Sequence, residues 1–238
     1  MTNQHTVVVG GSSGIGLATA RALLDAGHTV TIAGRSAERL DQASATLGGR
    51  ANAVVLDAAD PVSARSAFDK IKRFNHLVLA LGSTKGGGPF ASVDLAEMRQ
   101  GFEEKVFAHF ATAQVALPFL VTAGSITFVS AVTAHAALPG TAGIGAANAA
   151  VAALVPILAA ELKPLRVNGV SPGVIDTPWW DFLPAEAKAS VFADYAGKTP
   201  VGRVGSADDI ARTIAFVVTN GFMSGDTIVC DGGLRFAA

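Results

Sequence analysis

Three groups of residues in this chain have types and spacings that could do chemistry. The first is Gly10-Gly11-Ser12-Ser13-Gly14-Ile15-Gly16. Glycines at 10, 14 and 16 tolerate positive φ and put no side chain in the way, so a strand can turn sharply into a helix there. The free N–H groups and positive dipole end of such a helix hold a pyrophosphate. The spacing is G-x-x-x-G-x-G rather than G-x-G-x-x-G, but the physical requirement is the same. The second group is Gly34-Arg35-Ser36, at the end of the next β-branched run. A dinucleotide site that prefers NAD puts a carboxylate about here, on the ribose 2′-hydroxyl. A guanidinium instead pairs with a phosphate, which a carboxylate would repel. Arg35 therefore points to NADP(H). The third group runs from Trp179 to Tyr195 and holds both Trp residues, Phe182, Phe192 and the sole Tyr. Such a concentration suits an apolar or planar ligand, or the packing of a lid onto itself. His135 is a further group that could move a proton.

These residues need elements to position them. Short β-branched runs at 6–9, 29–33, 53–56, 76–80, 125–129, 165–170 and 226–230 read as strands. Ala-rich helical runs at 16–26, 37–47, 62–72, 95–117, 142–162 and 210–218 fall between them. Alternating strands and helices imply parallel strands joined by right-handed crossovers, with helices on both faces. The predicted fold is an α/β single domain over 1–238. It is a doubly wound parallel sheet of about seven strands. Ligands of such sheets bind at the carboxyl ends of the strands, near the point where strand order reverses.

Composition limits the alternatives. Hydrophobic residues make up 50% of the 238 and charged residues 16%, which excludes a disordered, collagen-like or coiled-coil chain. With 18 basic and 19 acidic residues the net charge is −1, so no overall field favours nucleic acid or an anionic membrane. The lone Cys230 cannot form an internal disulfide, so a reducing compartment is expected. The first residues show no basic-then-apolar leader, and the apolar run 149–160 contains Pro156 and is short for a bilayer. A soluble, cytoplasmic protein without a metal site is expected.

The chain resembles the short-chain dehydrogenase/reductase family over essentially its whole length. The resemblance rests on the glycine turn; on Arg166-Val167-Asn168, Ser171-Pro172-Gly173 and Thr177; on Pro200, Gly202 and Arg203; and on Gly225 and Asp231-Gly232-Gly233. It implies a Rossmann-type fold, an NADP(H) site and a substrate lid at about 176–202. The site would be formed by Gly10, Ser12, Ser13, Gly14, Ile15, Gly16, Arg35, Ser36, Asp57, Ala58, Gly82, Pro172, Gly173, Ile175 and Thr177. It also implies a homodimer or homotetramer through the helices near 95–117 and 142–162.

The family's usual Asn, Ser, Tyr and Lys are absent from the matching positions. Those positions hold Lys105, Ala131, Ile144 and Asn148, with Ser130 just before Ala131. Asn has become Lys and Lys has become Asn. Lys105 is expected either to hydrogen-bond Asn148 and help hold the nicotinamide ribose or to reach solvent or a helix-face carboxylate, and Ser130 either to touch substrate or to be a structural hydroxyl at the strand end. The resemblance thus implies a reductase of a small, apolar or planar substrate with a non-standard proton source. A silent NADP(H)-binding sensor and a scaffold subunit are the competing readings.

Overall fold

The computed structural model describes residues 4–237. Residues 1–3, the start of the segment read above for a leader, and residue 238 lie outside it. Seven parallel strands form one sheet: β1 (His5–Val9), β2 (Thr29–Gly34), β3 (Ala51–Val55), β4 (Phe74–Leu79), β5 (Leu120–Val129), β6 (Arg166–Pro172) and β9 (Thr227–Cys230). A separate two-stranded pair, β7 (Ile175–Asp176) and β8 (Gly205–Ser206), lies after β6. The sheet order is β3-β2-β1-β4-β5-β6-β9. The chain moves outward from β1 to β3, then returns to the other side of β1 to lay down β4. The order therefore reverses between β1 and β4, where Val7 pairs with Thr31 on one side and Leu77 on the other.

Strand alternation divides the core between two faces. Val7, Val9, Leu77, Leu79, Ile126, Phe128 and Val167 pack with Phe68, Ala113 and Val155 on one face. These come from α3 (Pro61–Ile71), α5 (Ala108–Ala116) and α6 (Ala142–Glu161). Val8, Ile32, Val78 and Val170 pack with Ala20, Leu40 and Ile214 on the other. These come from α1 (Gly14–Asp25), α2 (Ala37–Thr46) and α8 (Ala207–Thr219). Each fully buried Val, Leu, Ile or Phe is worth about 1.5–3 kcal/mol. A central parallel sheet covered on both faces needs strands that are apolar on both sides, as these are.

The run read as one helix over 95–117 is divided. It comprises α4 (Leu95–Phe102), a π-helical turn over Glu103–Phe107 and then α5. The remaining helix, α7 (Ala185–Lys198), falls within the segment read as a lid. The apolar α6 is long enough to cross a membrane, but here it covers the sheet, with Gly143, Ala147, Val151 and Val155 turned inward. Two residues of the motif after β5 do structural work. The Arg166 guanidinium donates to the carbonyls of Val217, Val218 and Met223, and Asn168 also donates to Met223. Arg166 ties the end of α8 to the sheet, and both residues hold the loop that follows it.

Candidate active site

A cavity of about 700 Å³ opens at the carboxyl ends of the strands, across the reversal between β1 and β4. One end is the glycine turn. Gly10 and Gly14 have φ of +83° and +50°, a region that β-carbon-bearing residues rarely enter. A Cβ on Gly16 would lie 2.1 Å from the Gly10 carbonyl oxygen, so only glycine lets α1 start this close to β1. Side chains cap the N-termini of α2, α3, α4 and α8. As at α6, α1 has a cap residue, Ser13, that makes no side-chain bond, and a first turn without an acid. Its positive end and N–H groups are thus left for something in the cavity.

Arg35 and Arg39 line the same end, and among the described residues neither takes part in an ion pair. Arg39, in the first turn of α2 and four residues after Arg35, was not singled out from the sequence. Of the residues expected at the cofactor, all but Ser36 line the cavity. Ser36 instead caps α2, its Oγ accepting from the Arg39 N–H at 3.2 Å. Asp57 receives the Ala59 N–H at 3.0 Å, which fixes its carboxylate at the end of β3. Gly173 packs so closely that an added Cβ would meet the Asp231 Cα at 2.7 Å.

The other end gathers Lys105, Ser130, Ala131, Ile144 and Asn148. The first two and Asn148 are buried polar residues. The expected bond between Lys105 and Asn148 is not formed. Lys105 Nζ donates to the carbonyls of Leu81 at 2.7 Å and Val129 at 2.8 Å. Those oxygens project just beyond β4 and at the end of β5, and they satisfy the cation more closely than the amide. Asn148 turns its Nδ2 to Thr133 Oγ1 at 3.1 Å and to the Ile144 carbonyl at 3.0 Å. Its Oδ1 and the Ser130 Oγ are buried with no protein partner. Polar atoms in that condition on a cavity wall await water or a ligand. Burial without a counter-charge pushes the Lys105 pKa down to about 7.

His109, one turn beyond Lys105, is fully buried against Phe128. Its Nδ1 lies 2.6 Å from the Lys105 carbonyl oxygen, and its Nε2 lies 3.1 Å from the Leu79 carbonyl oxygen. Burial, reinforced by the Lys105 charge, pushes its pKa down to about 3. His135 is exposed and is not on the cavity wall. Its place, at the end of a short turn after β5, directs it outward.

The aromatic segment contributes Trp179, Trp180, Phe182 and Tyr195 to the wall. It also packs on itself. Trp180 stands edge-on to Trp179 at 4.7 Å and to Phe192 at 5.6 Å. Lys188 bridges Asp176 and Asp181 at 3.2 and 3.5 Å. Trp179 Nε1 donates across the cavity to the Ser83 carbonyl at 3.1 Å, tying this segment to the chain after β4.

Comparison with known proteins places the chain among oxidoreductases. The family model described as enoyl-(acyl carrier protein) reductase matches residues 9–235. An oxidoreductase of Methylorubrum extorquens is 32% identical over 96% of each chain. A small-chain dehydrogenase solved in complex with NADPH superposes with a TM-score of 0.86. It is 29% identical, with 98% of this chain and 99% of that one covered. An NADPH-bound short-chain oxidoreductase from Pseudomonas aeruginosa PAO1, described as containing an atypical catalytic center, also superposes at 0.86. It too is 29% identical, with 97% and 96% covered.

Proposed function

The chain belongs to the short-chain dehydrogenase/reductase family, and on that premise we propose that it is an NADP(H)-dependent reductase of a small, apolar or planar substrate. The observation that carries this reading is the single cavity joining the uncapped start of α1 and Arg35 to the buried polar groups of Lys105, Ser130 and Asn148. The residues fit the cofactor. Gly10, Ser12, Ser13, Gly14, Ile15 and Gly16 would hold a pyrophosphate on the α1 N-terminus. Arg35, with Arg39 beside it, would hold a 2′-phosphate, and no carboxylate stands at the end of β2 to repel it. Asp57 and Ala58 would flank the adenine, with Gly82, Pro172, Gly173, Ile175 and Thr177 beside the nicotinamide half. When bound, such a cofactor supplies a hydride.

The chain's own groups then set what can react. Asn148 Oδ1 offers a fixed acceptor, because its amide is held in place by Thr133 and Ile144. That acceptor suits a ribose hydroxyl. Ser130 Oγ suits a polar atom of the substrate. The segment at 176–202 acts as a lid, with Trp179, Trp180 and Phe182 giving a flat apolar wall. Ile144 and Ala131 replace the family's usual proton donor and substrate-orienting hydroxyl. They also favour a second reading, a protein that binds NADP(H) without turnover.

A fluorescence titration with NADPH, followed by its absorbance at 340 nm with iminium, quinone, flavin and carbonyl compounds, tests both. Binding with oxidation supports the reductase. Tight binding with no oxidation across the panel favours the silent binder. No binding at all defeats both and favours a scaffold. We infer the same assembly as in the sequence reading, a homodimer or homotetramer. It is supported by Leu95, Phe107, Phe110 and Ile157, large apolar side chains left exposed along α4, the π turn, α5 and α6. A cytoplasmic setting is supported by the single free Cys230.

A further inference from the structure

Lys105 is a charged side chain by nature, yet only 7% of it is exposed. The π turn carries it, and its Nζ donates to the carbonyls of Leu81 and Val129, residues that line the cavity with it. An ammonium has three N–H bonds, and a neutral amine has two and a lone pair. Two carbonyls therefore satisfy two N–H bonds in either state. Among the described residues no protein acceptor takes the third, and Lys105 lines the cavity. If that third proton leaves, both bonds stay and a lone pair stands where the N–H stood. Proton transfer needs no rearrangement of the side chain.

We propose that Lys105 is the proton donor of this site, its ammonium protonating the oxygen of a carbonyl substrate as the carbonyl carbon is reduced. The proposal rests on the reductase reading. The carbonyl carbon gains a hydride, with its electron pair, from a dihydronicotinamide reductant. The C=O π bond breaks towards oxygen, an O–H bond forms and an N–H bond breaks at Nζ. The products are an alcohol, the oxidised nicotinamide and a neutral amine, which regains its proton from solvent.

Burial supports this role. An acid works best with a pKa near the working pH, and Lys105 is held at about 7. The groups around it leave it free to act. His109, pushed down to about 3, does not compete for the proton. Glu104 accepts from Ser83 Oγ at 2.7 Å, and Lys85 pairs with Glu97 at 3.0 Å. Asp57 and Arg35 lie at the phosphate end. Tyr195, on the lid, is a further proton-bearing group on the wall.

Two probes separate proton donation from everything else Lys105 does. 4-Nitrobenzaldehyde must gain a proton with its hydride, whereas N-methyl-3,4-dihydroisoquinolinium needs only hydride. With NADPH, Lys105→Met is expected to slow aldehyde reduction about 10²–10⁴-fold and iminium reduction only a few-fold. Lys105→Arg keeps the charge but holds its proton too tightly, so it should stay slow with the aldehyde. Aldehyde reduction by the unaltered protein should fall above about pH 7, and iminium reduction should lack that fall. Independently of turnover, ¹⁵N NMR of lysine-labelled protein should show an Nζ resonance that titrates near neutrality and is missing in Lys105→Met. Equal slowing of both probes, rescue by Lys105→Arg, or an Nζ that titrates like an ordinary lysine would overturn the proposal. So would loss of aldehyde reduction in Tyr195→Phe with none in Lys105→Met. If the unaltered protein binds NADPH but reduces neither probe, the reductase reading itself fails and the proposal falls with it.

Discussion

Arg35 and Lys105 are cations with opposite surroundings. Arg35 is exposed at the mouth of the cavity, so its charge costs little and is available to a phosphate. A charged hydrogen bond contributes about 1.5–3 kcal/mol. Arg35→Ala should therefore weaken NADPH binding about 10–100-fold and leave NADH binding nearly unchanged, as read by fluorescence titration of each. Lys105 is buried with no carboxylate beside it, so its charge is a burden to the fold. Its folded pKa of about 7 lies below the unfolded value of about 10.5. The folded state thus binds fewer protons, and stability falls as pH drops from about 10.5 to about 7. Lys105→Met removes that penalty. It should raise stability at pH 7 by about 1–4 kcal/mol in urea unfolding, even as it impairs turnover. A residue that destabilises the fold while facing a cavity is better explained by function than by packing.

Among the elements, the π turn at Glu103–Phe107 matters most to the site. It widens one turn of an otherwise regular helical run at the point where Lys105 enters the core. π turns often mark functional sites for this reason. The opposite ends of the strands carry a different chemistry. His76, on β4, is buried with Nδ1 against Ser125 Oγ at 2.8 Å and Nε2 against Gln4 Oε1 at 2.7 Å. Its ring lies 5.7 Å from that of His28. Burial first, then the nearby His28 and Arg166 charges, pushes its pKa down to about 3, against 6.5 when unfolded. The stability it contributes is complete above about pH 6.5 and is lost as pH falls towards 3. Each unit in that window removes about 1.4 kcal/mol for a group that stays neutral in the fold. His109 adds to the same slope. Unfolding midpoints measured from pH 7 to pH 4 should fall steeply, and less steeply in His76→Gln.

At the scale of the whole molecule, α5 and α6 leave large apolar side chains uncovered. Phe110 and Ile157 are 47% and 59% exposed there. If these side chains join subunits, light scattering after gel filtration should give at least twice the monomer mass, and Phe110→Glu with Ile157→Glu should give the monomer. The chain itself determined the layered sheet, because β-branched runs alternating with Ala-rich runs admit few other arrangements. It also made the glycine turn and Arg35 legible, because the constraints there are local. Gly10, Gly14 and Gly16 answer to backbone geometry, and Arg35 sits within a few residues of the strand that presents it. The reacting end was decided by tertiary structure. Lys105 and Asn148 could be matched by position, but not their hydrogen bonds, because Leu81, just beyond β4, and Val129, at the end of β5, are distant in sequence from both. No local pattern announced that two carbonyl oxygens would converge on one ammonium, that Asn148 would turn to Thr133, or that Ser36 would cap a helix. Those outcomes depend on which distant backbone groups need partners once water is gone, and only the packed fold sets that demand.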